Sequence, residues 1–152
     1  MNHAEQAAAL FESGYNCAQA VLGAFAQELG LPPDTAMKLS SSFGGGMGRM
    51  REVCGACSGM FMAAGLLYGY ATPETGAPKK ELYEHVRALA DRFREENGSI
   101  ICRELLGEQA TVGGTPEART PAYYKKRPCV EYVRCAAAIL EAYQTEQTAE
   151  KE

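Results

Sequence analysis

The stretch 53-VCGACSGMFMAAGLLYGYA-71 decides how the rest of the chain is read. From residue 53 to 73 it carries no charged side chain, a length that could cross a bilayer. Gly, Ala and Ser dominate it, Tyr68 and Tyr70 lie within it, and no other segment is comparable. The better reading is a buried central helix over about Cys54 to Gly69. The spacing of Gly55, Gly59 and Ala63 leaves a groove along one face where another backbone can come close. A helix that is apolar all round belongs in the middle of a bundle.

Working outward, helical periodicity recurs and runs of alternating β-branched residues do not. A first helix is expected over residues 3–12. A second runs from Cys17 to Leu29, with Asn16 as N-cap and Gly30 just past its end; Ala18, Val21, Leu22, Phe25 and Leu29 form its apolar stripe. The segment "LPPDTAMKLSSSF" opens a short helix with prolines. "GGGMGRM", Gly44 to Met50, reads as loop, because its glycines make a helix entropically costly. After the turn "TPETGAP" an amphipathic helix covers Lys79 to Glu96, with Leu82, Val86, Leu89, Ala90 and Phe93 inward, and Asn97 and Gly98 end it. Ser99 caps a short helix "IICRELLG", and Gly113 to Arg127 is a long loop. The last helix begins at Pro128, with Val130, Val133, Ala137 and Leu140 toward the core. The expected fold is all-α, a single-domain helical bundle over residues 1–144, followed by a disordered tail over 145–152.

At 152 residues the chain has the size of one domain. A net charge of -4 and a pI near 5.3 argue against nucleic acid as partner. The single basic cluster, Lys125 to Arg127, reads as a solvated loop. The N-terminal sequence lacks the basic start, apolar run and cleavage site of a secretory signal, so a cytoplasmic location with reduced cysteines is expected.

Six cysteines are then left for metal, redox chemistry or packing. Cys17 follows the Asn16 cap, Cys54 opens the glycine-rich helix, Cys102 lies three residues after Ser99, and Cys129 follows Pro128. All four fall in a helix's first turn, where unpaired N–H groups and the positive end of the helix dipole favour thiolate. Cys54 and Cys57 also form a CxxC pair at a helix N-terminus, as dithiol enzymes use, although the βαβ context of thioredoxins is missing. Cys135, six residues past Cys129 and roughly 240° around the helix, cannot easily share its site and reads as packing. The four helix-start cysteines are far apart in sequence, unlike the close pairs of zinc ribbons. They suit an iron–sulfur cluster, whose larger frame takes ligands from separate elements.

Four ordered pieces, "SGYNCAQAVL" (Ser13 to Leu22), "FGGGMGRMREVCGACSG" (Phe43 to Gly59), "GSIICRELLG" (Gly98 to Gly107) and "CVEYVRCAAAIL" (Cys129 to Leu140), resemble the C_GCAxxG_C_C family, described as redox-active. The family's four cysteines correspond to Cys17, Cys54, Cys102 and Cys129. Its first variable position, commonly aliphatic, is Cys57 here, and Cys135 is an addition. The departure at Cys57 weakens a shared CxxC dithiol chemistry. The resemblance extends to domains of split-Soret-type cytochromes, where an iron–sulfur centre accompanies the haems, so it implies a cluster more than a bare dithiol.

Arg49 and Arg51, just before Cys54, could stabilise thiolates or an anionic cluster, with Gly55 beside them. "FGGGMG" lacks the Gly-Lys-Ser/Thr of a phosphate loop and suits close backbone approach to the cysteines. Met47 and Met50 could pack over them. His3 and His85 have no partner in sequence that suggests catalysis. The expected function is redox: a cluster on Cys17, Cys54, Cys102 and Cys129 for electron transfer to a redox partner protein. The alternatives are a thiol–disulfide oxidoreductase using Cys54 with Cys57 or another of the four cysteines, and a module for zinc or another thiophilic metal. The Gly55/Gly59/Ala63 face could pack within the chain or across a homodimer.

Overall fold

The computed structural model describes residues 1–73 and 76–151, and the side chains of all of these but 109, 124–126 and 151. Helices α1 (His3–Glu12), α2 (Cys17–Ala26), α3 (Pro33–Ser40), α4 (Gly44–Met47), α5 (Gly55–Tyr68), α6 (Ala77–Asn97), α7 (Cys102–Leu106), α8 (Pro121–Lys126) and α9 (Cys129–Lys151) follow one another, with 3-10 turns after α3 and α7. The only extended pairing among the described residues is one antiparallel bridge between Val53 and Ile101. The fold is all-α.

The Asn16 start signal acts as read, whereas Ser99 does not cap α7: Ile101 is its N-cap, with no side-chain cap, and Ser99 Oγ accepts from Ile101 N at 2.9 Å. Asn16 and Gln19 form a reciprocal capping box at α2, and Asn2 accepts from the Glu5 amide at α1. α2 stops at Ala26, short of Leu29. Residues 27–30 continue as turn, with Leu29 N still donating to Phe25 O, and Leu31 N donates to Ala26 O across Gly30 at φ 74, the left-handed stop expected at that glycine. α4 is a helix only in outline, since Gly45 and Gly46 have φ of 65 and 66; the loop reading describes its backbone better.

α5 lies at the centre, against α2, α6 and α9, while α1 packs on α2 and α9. Phe11, Leu22, Phe25, Met60, Leu89, Phe93, Val133 and Leu140 are buried between these helices. Each such side chain contributes about 1.5–3 kcal/mol by leaving water. The occupant of the small-residue groove is α2. A Cβ on Gly59 would stand 2.6 Å from Ala18 O, so glycine is what lets the two backbones meet. No helix among the described residues is long and apolar enough to cross a membrane.

Two segments depart from expectation. The loop over 113–127 contains α8, whose start is marked by a capping Thr120, accepting from Tyr123 N at 3.2 Å, and by Pro121. α9 continues through residues 145–151, read from sequence as tail. That segment holds no Gly or Pro, and Glu146 pairs with Arg92 of α6. Both histidines also find partners. His3 stacks on Phe25 with ring centroids 4.1 Å apart and reaches Glu141 and Glu28. His85 stacks on Tyr68 and shares a hydrogen bond with Tyr143. Neither pairing could be read from a sequence in which the partners are far apart.

Candidate functional site

Three local devices bring the cysteines together. Across the bridge, Cys54 N donates to Ile100 O at 2.7 Å and Cys102 N donates to Glu52 O at 2.6 Å, so residues 51–54 and 100–103 run side by side. Gly46, at φ 66, leaves room for this: its Cβ would lie 2.6 Å from Cys102 Cβ and 2.8 Å from Glu52 N. The α2–α5 contact supplies the third link, because a Cβ on Gly55 would stand 3.0 Å from Cys17 Cβ. Cys17, Cys102 and Cys129 are the first residues of α2, α7 and α9, and Cys54 is the N-cap of α5.

All four cysteines line one cavity of about 370 Å³. Arg49, Arg51, Arg119 and Arg127 share its wall with a single carboxylate, Glu117, and with Phe11, Tyr123 and Tyr132. Arg51 is 3% exposed. Its Nε donates to Thr111 O at 2.9 Å and its Nη1 to Cys102 Sγ at 3.7 Å. Arg127 is buried too and meets Glu117 at 2.9 Å, so the solvated-loop reading fails for this member of the basic run. The side chains of Lys125 and Lys126 lie outside the described residues.

The thiols are not equivalent. A hydrogen bond with Cys17 holds Cys129 below the usual thiol range against the effect of burial, and Arg127, Arg51 and Arg119 add to it. The same hydrogen bond, followed by burial, pushes Cys17 well up. Cys54 is lowered in the same way, first by Cys57 and then, against burial, by the backbone N–H groups of Ala56 and Cys57. Cys57 is pushed up by that bond and by burial. Burial also raises Cys102, with Arg51 opposing it. The site therefore holds two thiols poised to ionise, Cys54 and Cys129, each supported by a neighbouring thiol.

Cys57 itself is fully buried in the core and is not part of the cavity wall. Cys135 stands elsewhere, on a shallow groove with Glu96, where its Sγ donates to Glu96 Oε2 at 2.9 Å and accepts from Asn97. Arg49 and Arg51 both line the cavity. Of the two methionines expected near it, Met50 is exposed and neither lines the cavity. Sequence reasoning missed Arg119, Arg127 and Glu117. Their signal was a charged pattern immediately before the last helix-start cysteine, in a segment treated as plain loop.

The donor chemistry, four thiols on one cavity with cationic walls, suits an anionic thiolate-bound group. Among the described residues no group of three or more His, Cys, Asp or Glu is placed to hold a single metal ion. The sequence model of the family described as "Putative redox-active protein (C_GCAxxG_C_C)" matches residues 15–143, and the chain belongs to that family. No curated protein and no solved structure matches the chain.

Proposed function

We propose that the cavity is the redox centre and that Cys17, Cys54, Cys102 and Cys129 hold an iron–sulfur cluster for electron transfer to a partner protein. The observation that carries this reading is the convergence of four cysteines from four separate elements on one cavity. A cluster is several atoms wide, so its ligands can come from separate elements, as these four do. When bound, it would supply one-electron chemistry at a potential tuned by charge and hydrogen bonding. The chain's own part is to present thiolates and to offset their charge. Arg51 does this from beside Cys102, while the N-terminal dipole of α9 and the charges of Arg127, Arg51 and Arg119 favour ionised Cys129. The expected setting is a reducing compartment.

Anaerobic purification with iron, acid-labile sulfide and zinc counts tests the reading. Iron and sulfide in equal amounts, lost in Cys54→Ala and Cys102→Ala, are expected. Freshly prepared colourless protein free of iron would overturn it.

A second reading is favoured by the placement of Cys17 and Cys129 on one cavity wall, each as the first residue of its helix, with three arginines acting on Cys129. In thiol–disulfide exchange, the Cys129 thiolate would attack a substrate disulfide and release one thiol. The Cys17 thiolate would then attack the mixed disulfide, releasing the second thiol and leaving a Cys17–Cys129 bond for a dithiol reductant to reopen. Turnover of a small disulfide that survives Cys17→Ala would rule this out.

A further inference from the structure

In a chain of net charge -4, the cavity wall sets four arginines against one carboxylate. Glu117 bridges two of them, at 3.1 Å from Arg49 and 2.9 Å from Arg127. Arg51, although 3% exposed, meets a carbonyl and a thiol and has no carboxylate partner among the described residues. Arg119 likewise directs its Nη groups at Phe11 O and Tyr15 O, at 2.6 and 2.8 Å, with its guanidinium 4.2 Å from the Phe11 ring. Arg49 Nε is buried with no acceptor at all. Guanidinium does not give up its proton, so a buried one without an anion is costly. The backbone that carries two of these groups, together with Met47 beside them, is also held in an uncommon conformation. Arg49 and Arg51 both have φ 61, a left-handed conformation costing roughly 1–2 kcal/mol for a residue with a Cβ. Both side chains then lie over Gly45, where a Cβ would be 2.8 Å from Arg49 Cγ and 3.7 Å from Arg51 Nη1.

We infer that this cavity binds a small oxyanion beside the cysteines, held by Arg49, Arg51 and Arg119. Planar guanidinium groups match carboxylate, phosphate and sulfur oxyanions in a paired donor geometry. Glu117 already shows that mode of recognition from within the chain. A volume of about 370 Å³ is within the range of small-ligand sites. As a substrate site it rests on the redox reading of the same cavity; as a binding site it does not.

The test is calorimetric titration of the anaerobically purified full chain with sulfite, inorganic phosphate and succinate at low ionic strength, with iron and sulfide counted on the same sample. At least one probe is expected to bind once per chain with Kd below about 1 mM. The three probes separate sulfur, phosphorus and carbon oxyanions. Arg51→Gln should weaken binding at least tenfold, and Arg92→Gln, on the far pair with Glu146, should leave it unchanged. Should Arg51→Gln fail to fold, Arg119→Gln carries the same expectation. Absence of binding for all three probes, or affinity undiminished in the folded variants, overturns the inference. Iron-free protein that binds an anion would sink the cluster reading alone, and iron-loaded protein that binds none would sink the anion site alone.

Discussion

Cys54 and Cys57 stand three positions apart on one helix and do different things. The N-cap position turns Cys54 into the cavity, while one turn later Cys57 is sealed in the core and donates to it. Under the cluster proposal, Cys57→Ala should keep its full iron and sulfide content, measured beside Cys54→Ala, which should lose most of it. Equal losses in both would mean that Cys57 is a ligand and that this division is wrong. Cys135 allows a cleaner test of local electrostatics. Burial, and then the neighbouring Glu96 carboxylate, push its thiol up to about 11. Only a small fraction is thiolate at pH 8, so alkylation followed by mass spectrometry should find Cys135 slow despite its partial exposure. Glu96→Gln removes the negative charge and should speed the reaction several-fold. No change in rate would show that burial alone controls it.

Within a single element, α5 predicts opposite outcomes for one substitution. Gly59→Ala places a methyl 2.6 Å from Ala18 O, forcing α2 and α5 apart, and should cost about 1–3 kcal/mol in denaturant unfolding. Gly65→Ala meets nothing within 4 Å in the same helix and should stabilise by roughly 0.5–1 kcal/mol through helix propensity. Two changes of the same sign would refute the packing account. The contrast also marks what the sequence could disclose. The Gly55/Gly59/Ala63 spacing announced a close helix contact, and the caps at Asn16 and Gly98 announced boundaries, because both are encoded within a few residues. The helix-start position of four cysteines was legible for the same reason. Their meeting at one site was expected through the cluster reading and the family resemblance, but the contacts that bring it about were not legible, since the Val53–Ile101 bridge and the fit of Gly46 against Cys102 join segments far apart in the chain. α8 was hidden by Pro and Gly around it, although "TP" before "AYY" is a helix start in its own right.

Across the whole molecule, carboxylates pair with cationic groups on several surface elements, which makes the acid limb of stability informative. Four carboxylates sit below their ordinary range. Hydrogen bonding to a cationic partner is the leading cause for Glu52 with Arg103 and for Glu146 with Arg92, and to His3 for Glu141. For Glu117 burial pushes upward, but its own backbone N–H, Arg49 and Arg127 outweigh it. A group whose folded pKa is depressed stabilises the fold above its unfolded value, 4.5 here, and that stability is lost as pH falls through the folded value. Thermal unfolding followed from pH 7 to 3 should therefore steepen its decline below about 4.5. Glu141→Gln should lie below the wild type by up to about 1 kcal/mol at pH 6, the discount for a half-exposed pair, and converge on it near pH 3. Added salt should narrow the gap at pH 6 and leave the convergence in place. A gap of constant size at every pH would mean that Glu141 acts by packing against α1, and that the link between α1 and α9 is not an ionic one.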